Sequence, residues 1–171
     1  EAIDGGAERG GFERAVQALG AAGGRGMNVT LPFKLAALQM ANEATDNARL
    51  AGAANTLRLD GGRIEAHNTD GIGLVRDIER TVGVPLRGRR VLLVGAGGAA
   101  RGVLLPLARA GAGRIAIANQ TADKARALAR ELAPHLDGVA IDGGGLDALA
   151  AGDAFDVVIN ATSASLSGQA P

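Results

Sequence analysis

The sequence predicts an α/β protein of two domains, the second a doubly wound parallel sheet, and three observations carry that reading. From Val91 onward, short and mostly apolar runs alternate with stretches of helical spacing. Strands alternating with helices imply parallel βαβ units joined by right-handed crossovers. Before Pro85 the pattern differs: alternating apolar and polar residues flank Asp60-Gly61-Gly62, which reads as an antiparallel hairpin among short helices. Between the two, Pro85 and the run Arg87-Gly88-Arg89-Arg90 mark a boundary, giving domains at 1–86 and 87–171.

Each element has a local reason. Residues 1–25 read as a glycine-broken helix whose periodic part is G-F-E-R-A-V-Q-A-L-G. A β-like run from Met27 to Leu31 stops at Pro32, and a proline at the first helical position is expected to open a helix through about Asn42, with Phe33, Ala37 and Leu38 in apolar spacing. Residues 53–70 give the hairpin, with Asp60-Gly61 as its two-residue turn. The spacing of Ile72, Val75, Ile78 and Val82 predicts a helix over 72–81 that buries these four on one side. In the second half, strands are expected at 91–94, 114–119, 139–142 and 156–162. Helices are expected at 99–109 and 122–133, with a short one near 146–151. A doubly wound dinucleotide fold usually has about six strands, so four suggest a polypeptide truncated at both ends.

Composition narrows the function. The chain has 171 residues and a formal net charge of zero, so no global field draws it to nucleic acid or to an acidic membrane. Its only aromatics are three phenylalanines, too few for a base-stacking platform. Without cysteine there is no disulfide framework and no thiolate chemistry. No apolar run approaches the roughly 20 residues of a membrane span. The expectation is a soluble protein of cytoplasmic type, although the chain begins at Glu1 rather than at a methionine.

The phosphate-binding signature is Gly95-Ala96-Gly97-Gly98-Ala99-Ala100, which follows the first apolar strand and opens a helix. It fits G-x-G-x-x-A, in which Gly95 makes the tight turn, Gly97 lets the backbone approach a pyrophosphate, and Ala100 permits close helix packing. The helix N-terminus adds amide donors and a positive dipole end. The end of the next strand indicates which nucleotide. An NAD site usually carries an acid about 20 residues beyond the glycines for the ribose hydroxyls. This chain has Asn119-Gln120-Thr121 there, with Lys124 and Arg126 on the following turn. A 2′-phosphate meets no carboxylate at that edge, so NADP is expected; Thr121 also reads as a helix N-cap.

Sixteen of the eighteen basic residues are arginine, and only Lys34 and Lys124 are lysine. A guanidinium stays charged, whereas an amine can move a proton. Lys34 ends N-V-T-L-P-F-K, on a first helical turn beside a proline bend. Asp70 lies in H-N-T-D-G, with Gly71 and Gly73 leaving room for close approach. A lysine and an aspartate beside a nicotinamide can pass a proton to or from a substrate oxygen while hydride moves at carbon. Either residue could equally be a surface lysine or a helix cap. His67 reads as a strand-edge residue, and no metal site is expected.

Five segments in order, N-V-T-L-P-F-K (28–34), A-G-A-A-N-T-L (51–57), N-T-D-G-I-G (68–73), V-L-L-V-G-A-G-G-A-A-R-G (91–102) and I-N-A-T-S-A-S-L (159–166), resemble the shikimate dehydrogenase family. The resemblance runs from about Gly26 to the end. It implies an N-terminal α/β substrate domain followed by a Rossmann-type domain, and reversible reduction of 3-dehydroshikimate to shikimate by NADPH. It places the catalytic acid/base on Lys34 and a proton relay with hydroxyl binding on Asp70. Thr30 and Asn55 match substrate-binding positions, and Gly95 to Ala99 match the pyrophosphate turn. Asn119, Gln120, Thr121 and Lys124 match the adenosine-phosphate edge, Thr162 and Ser163 a loop near the cofactor, and Asp46 a position sometimes assigned to cofactor contact.

There are departures from the family pattern. Its N-R-T appears as Asn119-Gln120-Thr121, so an amide replaces a guanidinium and a charge-assisted bond is lost. The paired serines that hold the substrate carboxylate are missing, as is the C-terminal segment carrying a substrate glutamine, so turnover is expected of a longer protein. The implied partners are shikimate or 3-dehydroshikimate, with no nucleic acid and no membrane, and a homodimer as the open oligomeric state. Two alternatives remain: a quinate/shikimate dehydrogenase with relaxed cofactor use, and a non-catalytic nucleotide-binding regulatory module.

Overall fold

The computed structural model describes residues 10–149 and 154–162 and divides into two compact units, 1–69 and 70–171. The division falls ahead of the boundary expected at 86/87, because the helix that begins at Asp70 packs on a helix of the second unit.

The first unit carries a four-stranded sheet of order β1-β3-β4-β2. Helix α1 (Gly11–Ala21) precedes β1 (Gly26–Asn28), which pairs antiparallel with β3 (Thr56–Asp60). The hairpin is completed by β4 (Arg63–His67) in a register that pairs Asp60 with Arg63. The turn residues are therefore Gly61 and Gly62, at φ +55° and +82°, one position later than the Asp60-Gly61 expected. Two successive positive φ values suit a type I′ turn, which two glycines adopt more readily than an aspartate–glycine pair.

Two elements escaped the sequence pattern. Strand β2 (Glu43–Ala44) pairs parallel with β4, and helix α3 (Asp46–Ala51) follows it, capped by the Thr45 hydroxyl, which accepts from the Ala48 amide at 3.4 Å. Both are too short to show a period. The helix expected from Pro32 to Asn42 is shorter, α2 (Lys34–Gln39). Pro32 instead sits in a turn with a cis Leu31–Pro32 bond, closed by the Phe33 amide donating to the Thr30 carbonyl at 3.0 Å. A cis proline at the third position makes this a type VI turn, so the helix starts only beyond it. Beneath the sheet lie Phe12, Val16, Val29, Ala37, Ala48, Ala54, Leu57 and Ala66, with the rings of Phe12 and Phe33 stacked at 5.0 Å.

In the second unit, α4 (Asp70–Arg76) runs into a wider π-type turn over Asp77–Thr81. The predicted apolar stripe is not buried there: Ile72 is 43% and Val82 65% exposed. The contact is made by Gly71 instead, where a Cβ would lie 2.5 Å from the Gly102 carbonyl oxygen. Close backbone approach, rather than a side-chain stripe, joins the two helices. Strand β5 (Arg90–Val94), helix α5 (Gly98–Arg109), β6 (Arg114–Asn119), α6 (Ala122–Leu132), β7 (Ala140–Gly145) and β8 (Val157–Asn160) follow. A single 3₁₀ turn at Leu146–Ala148 stands where a short helix was expected. The sheet is parallel throughout, in the order β7-β6-β5-β8. Val91, Leu92, Leu93 and Ile115 to Ala118 are all buried, as strands covered on both faces require.

Candidate functional site

A candidate nucleotide site follows from that strand order. The chain leaves β5 toward β6 on one side, and β8 returns to the other side of β5, so the ends of β5 and β8 form a topological switch point where such sheets bind ligands. Gly95 begins the turn with φ +111°, a conformation side chains rarely adopt, and its amide donates to the Ala118 carbonyl at 2.7 Å. A Cβ there would stand 3.0 Å from the Ala161 carbonyl oxygen on the segment leaving β8. Gly97 is extended and precedes the first residue of α5, and its carbonyl accepts from the Arg101 amide at 2.9 Å.

The informative glycines are Gly97 and Gly98, which need neither a positive φ nor room for a protein neighbour. A Cβ on either would meet no protein atom within 4 Å. Both are exposed at the head of a 12-residue helix whose first amides are directed outward. The space that side chains would fill suits a pyrophosphate held on backbone donors. Ala96 and Ala99 complete the turn, and buried Ala100 seats the helix on the sheet.

At the neighbouring edge, Asn119 ends β6 and its side-chain amide donates to the Thr121 carbonyl at 3.0 Å, closing a tight bend. Thr121 occupies the N-cap position of α6 but makes no side-chain cap bond, contrary to the cap expected of it. Gln120, Thr121 and Lys124 are exposed, whereas the Arg126 guanidinium is held by Asp123 at 2.9 Å. On the other flank, Thr162 donates to the Asn160 side-chain oxygen through its amide at 3.0 Å and its hydroxyl at 2.8 Å. Asn160 thus shapes the loop beside Gly95, a role the sequence reading missed although the motif contained it. Ser163 lies outside the described residues.

The sheet carrying this site is tied at its opposite end by Asp156. Its carboxylate accepts from the Arg90 amide at 2.8 Å and from the Arg89 guanidinium at 3.1 Å. The backbone bond from Arg90, then the two arginine charges, hold that carboxyl below the ordinary aspartate value.

In the first unit, Lys34 is the first residue of α2 and half-buried. Thr30 is exposed at the start of the cis-proline turn. The backbone at Lys34, and at Val29 next to Thr30, is supported by one three-residue segment, Ala53-Ala54-Asn55. The Ala54 amide donates to the Lys34 carbonyl at 2.9 Å, and the Asn55 carbonyl accepts from the Val29 amide at 2.7 Å. The same segment holds the residues leading to Asp70. The Asn55 amide donates to the His67 carbonyl at 3.0 Å, and buried Asn68 donates to the Ala53 carbonyl at 3.0 Å. The Asn55 side chain then grips Thr69, accepting from its amide at 3.1 Å and donating to its hydroxyl at 3.0 Å.

Asn68 and Thr69 were not singled out from the sequence, where the motif drew attention to the aspartate alone. Asp70 is exposed at the first position of α4. What approaches Gly71 is α5 rather than a ligand, and Gly73 faces open space. Asp46 is exposed on α3 and ion-paired with Arg49. A groove of about 380 Å³ between α1 and the hairpin turn, bordered by Val16, Gly20, Leu59 and Ile64, contains none of these residues.

Comparison with known proteins matches both regions. Residues 6–57 fit the family described as shikimate dehydrogenase substrate binding domain, and residues 77–167 fit shikimate / quinate 5-dehydrogenase. A shikimate dehydrogenase (NADP(+)) of Acidovorax sp. strain JS42 is 54% identical over 158 residues, covering 92% of this chain and 56% of that protein. The chain thus spans little more than half the length of the curated relatives it matches.

Among solved structures, an Ael1 enzyme from Pseudomonas putida is 51% identical with a TM-score of 0.85, over 94% of this chain and 57% of that one. The ligand-free 5-ketofructose reductase of Gluconobacter sp. strain CHM43 is 34% identical with a TM-score of 0.80, over 91% and 56%.

Proposed function

Because the chain belongs to the shikimate/quinate 5-dehydrogenase family, we propose that the whole protein reversibly reduces 3-dehydroshikimate to shikimate with NADPH, as an oxidoreductase of chorismate and aromatic amino-acid biosynthesis. One observation carries the dinucleotide part of this reading. The glycine turn lies at the switch point between β5 and β8, and Gly97 and Gly98 keep clear a space that the protein's own atoms do not use. NADPH held on the Gly95–Ala99 turn would supply hydride for the carbonyl carbon.

The remaining steps fall to side chains. Lys34 donates a proton to the substrate oxygen as the carbonyl becomes a hydroxyl, and takes it back in the reverse direction. Asp70 binds a substrate hydroxyl and relays the proton. Thr30 and Asn55 hydrogen-bond the substrate. Gly95 to Ala99 hold the pyrophosphate, while Thr162, Ser163 and Asp46 contribute cofactor contacts.

Asn119, Gln120, Thr121 and Lys124 receive the 2′-phosphate. Lys124 is the cation best suited to it, because Gln120 is neutral and Arg126 is held by Asp123. The lack of an acid at 119–121 supports NADP over NAD and disfavours an NAD-using quinate enzyme. A silent nucleotide-binding module needs neither Lys34 nor Asp70. A homodimer belongs to the same proposal and is read by sedimentation.

The test uses the full-length protein with shikimate or quinate, each with NADP or NAD, followed by absorbance of the reduced nicotinamide. Fast reduction of NADP with shikimate is expected. Preference for quinate with NAD overturns the substrate and cofactor assignment, and activity only on 5-ketofructose with NADPH moves the enzyme to the chemistry of its Gluconobacter neighbour.

A further inference from the structure

Thr69 carries no role in the proposed chemistry, yet its backbone and hydroxyl are both held by one side chain. The Asn55 oxygen accepts from the Thr69 amide at 3.1 Å and from the Thr56 hydroxyl at 3.0 Å. The Thr69 hydroxyl, 3.0 Å from the Asn55 nitrogen, accepts from that side chain's N–H, and at 3.3 Å it also reaches the Asn55 oxygen, to which it can donate. The way the amide faces is set by the Thr69 backbone N–H, which can only donate. The hydroxyl adds a second tether, bonding both ends of the carboxamide where a methyl would bond neither.

That tether matters because Asn55 belongs to the supporting segment. Its backbone holds Val29, the residue immediately before the Thr30–Phe33 turn, and its neighbour Ala54 holds Lys34. Its side chain holds the residue covalently next to Asp70. Without the hydroxyl, its bonds to both ends of this side chain are lost, and the backbone at 69–70 can shift against Asn55.

We propose that Thr69 is a positioning residue for the reaction, acting through Asn55 to set the backbone from which Asp70 projects. The proposal rests on the dehydrogenase reading given above. Thr69 touches neither substrate nor cofactor in it. Its hydroxyl tethers the Asn55 side chain, that side chain holds the peptide at 69, and the peptide places the carboxylate. Displacement of a reacting group by about 1 Å can cost on the order of a hundredfold in rate, so a small shift at 69–70 has a large kinetic reading.

The experiment compares full-length wild type, Thr69→Val and Thr69→Ser, with thermal unfolding and NADP titration as controls. Valine keeps the shape and removes the hydroxyl, while serine restores it. The expected result for Thr69→Val is a kcat lowered by about tenfold to a hundredfold, a displaced pH profile of kcat, and NADP affinity unchanged. Thr69→Ser should return kcat close to wild type.

Equal impairment of the valine and serine variants overturns the proposal, since the hydroxyl would then not be the acting group. So does a folded Thr69→Val with wild-type kcat and pH profile. If Thr69→Val fails to fold, Thr69→Ala takes its place under the same criteria. Absence of shikimate turnover in wild type removes the dehydrogenase reading and this proposal together, a pattern distinct from active wild type with an unaffected variant.

Discussion

The two units place functional groups by opposite means. In the second, the nucleotide turn grows from strands buried on both faces and a 12-residue helix, and its donors are backbone amides. In the first, Lys34 opens a helix of only six residues, and the residues before Asp70 lie on the short segment leaving β4. Their positions depend on polar side chains: Asn55 and Asn68 bond backbone groups, and the Thr69 hydroxyl bonds the Asn55 side chain. A phosphate can be held by amides that any sequence supplies, provided nothing fills the space. A proton donor must be a particular side chain, so its supporting backbone needs particular side chains too.

The sharpest way to break the comparison is Lys34→Ala. Ala54 is bonded to the residue-34 carbonyl, which alanine keeps, so the fold should persist while kcat falls by about 10²- to 10⁴-fold. NADPH binding, measured by titration of cofactor fluorescence, should be unchanged. A parallel loss of NADPH affinity would show that the two sites do not divide the labour in this way.

Gly97→Val is the complementary test. A Cβ there meets no protein atom, so the melting temperature should hold while the new side chain enters the pyrophosphate space. Loss of even two or three charge-assisted bonds, at about 1.5–3 kcal/mol each, predicts at least a hundredfold weaker NADP binding. Wild-type affinity in this variant would place the cofactor elsewhere.

A smaller effect is expected for Gln120→Arg, which adds one fork of donors beside Lys124. One such bond, at about 1.5 kcal/mol, predicts a preference for NADP over NAD raised roughly tenfold. An unchanged ratio of kcat/KM values would mean that the 2′-phosphate does not reach residue 120.

The smallest effect concerns the sheet that supports the turn. The pKa of Asp156 in the folded protein lies below its ordinary value of 3.8, principally through the Arg90 amide and then through Arg89. A carboxyl depressed by folding contributes stability above its unfolded pKa and loses it as pH falls through the folded value. Acid unfolding below about pH 4 should therefore be less steep in Asp156→Asn, with little change near neutrality in a group this exposed. Identical acid limbs in the two proteins would remove Asp156 from the account.

The second unit was legible because its signals are periodic and long. Strand 114–119 appears at its predicted limits, and the helices after the two glycine- and threonine-marked turns begin within a residue of expectation. In the first unit, β2 and α3 are too short to carry a period, and the cis bond before Pro32 turned an expected helix start into a tight turn. The stripe from Ile72 to Val82 had the right spacing for a buried face, yet Gly71 makes the contact. A residue with no side chain gives no hydrophobic signal.

By itself the sequence determined the parallel half, the glycine turn, the missing acid at 119–121 and the candidacy of Lys34 and Asp70. All of these depend on residue type and on neighbours within a few positions. Only the tertiary structure decided that Ala53 to Asn55 supports the backbone at both Lys34 and Thr69, that Asn160 shapes the loop at Gly95, and that Gly97 faces open space while Gly71 faces a helix. Such relations join residues from 14 to 66 positions apart, and hydrogen bonds or close approach at that separation leave no periodic trace along the chain.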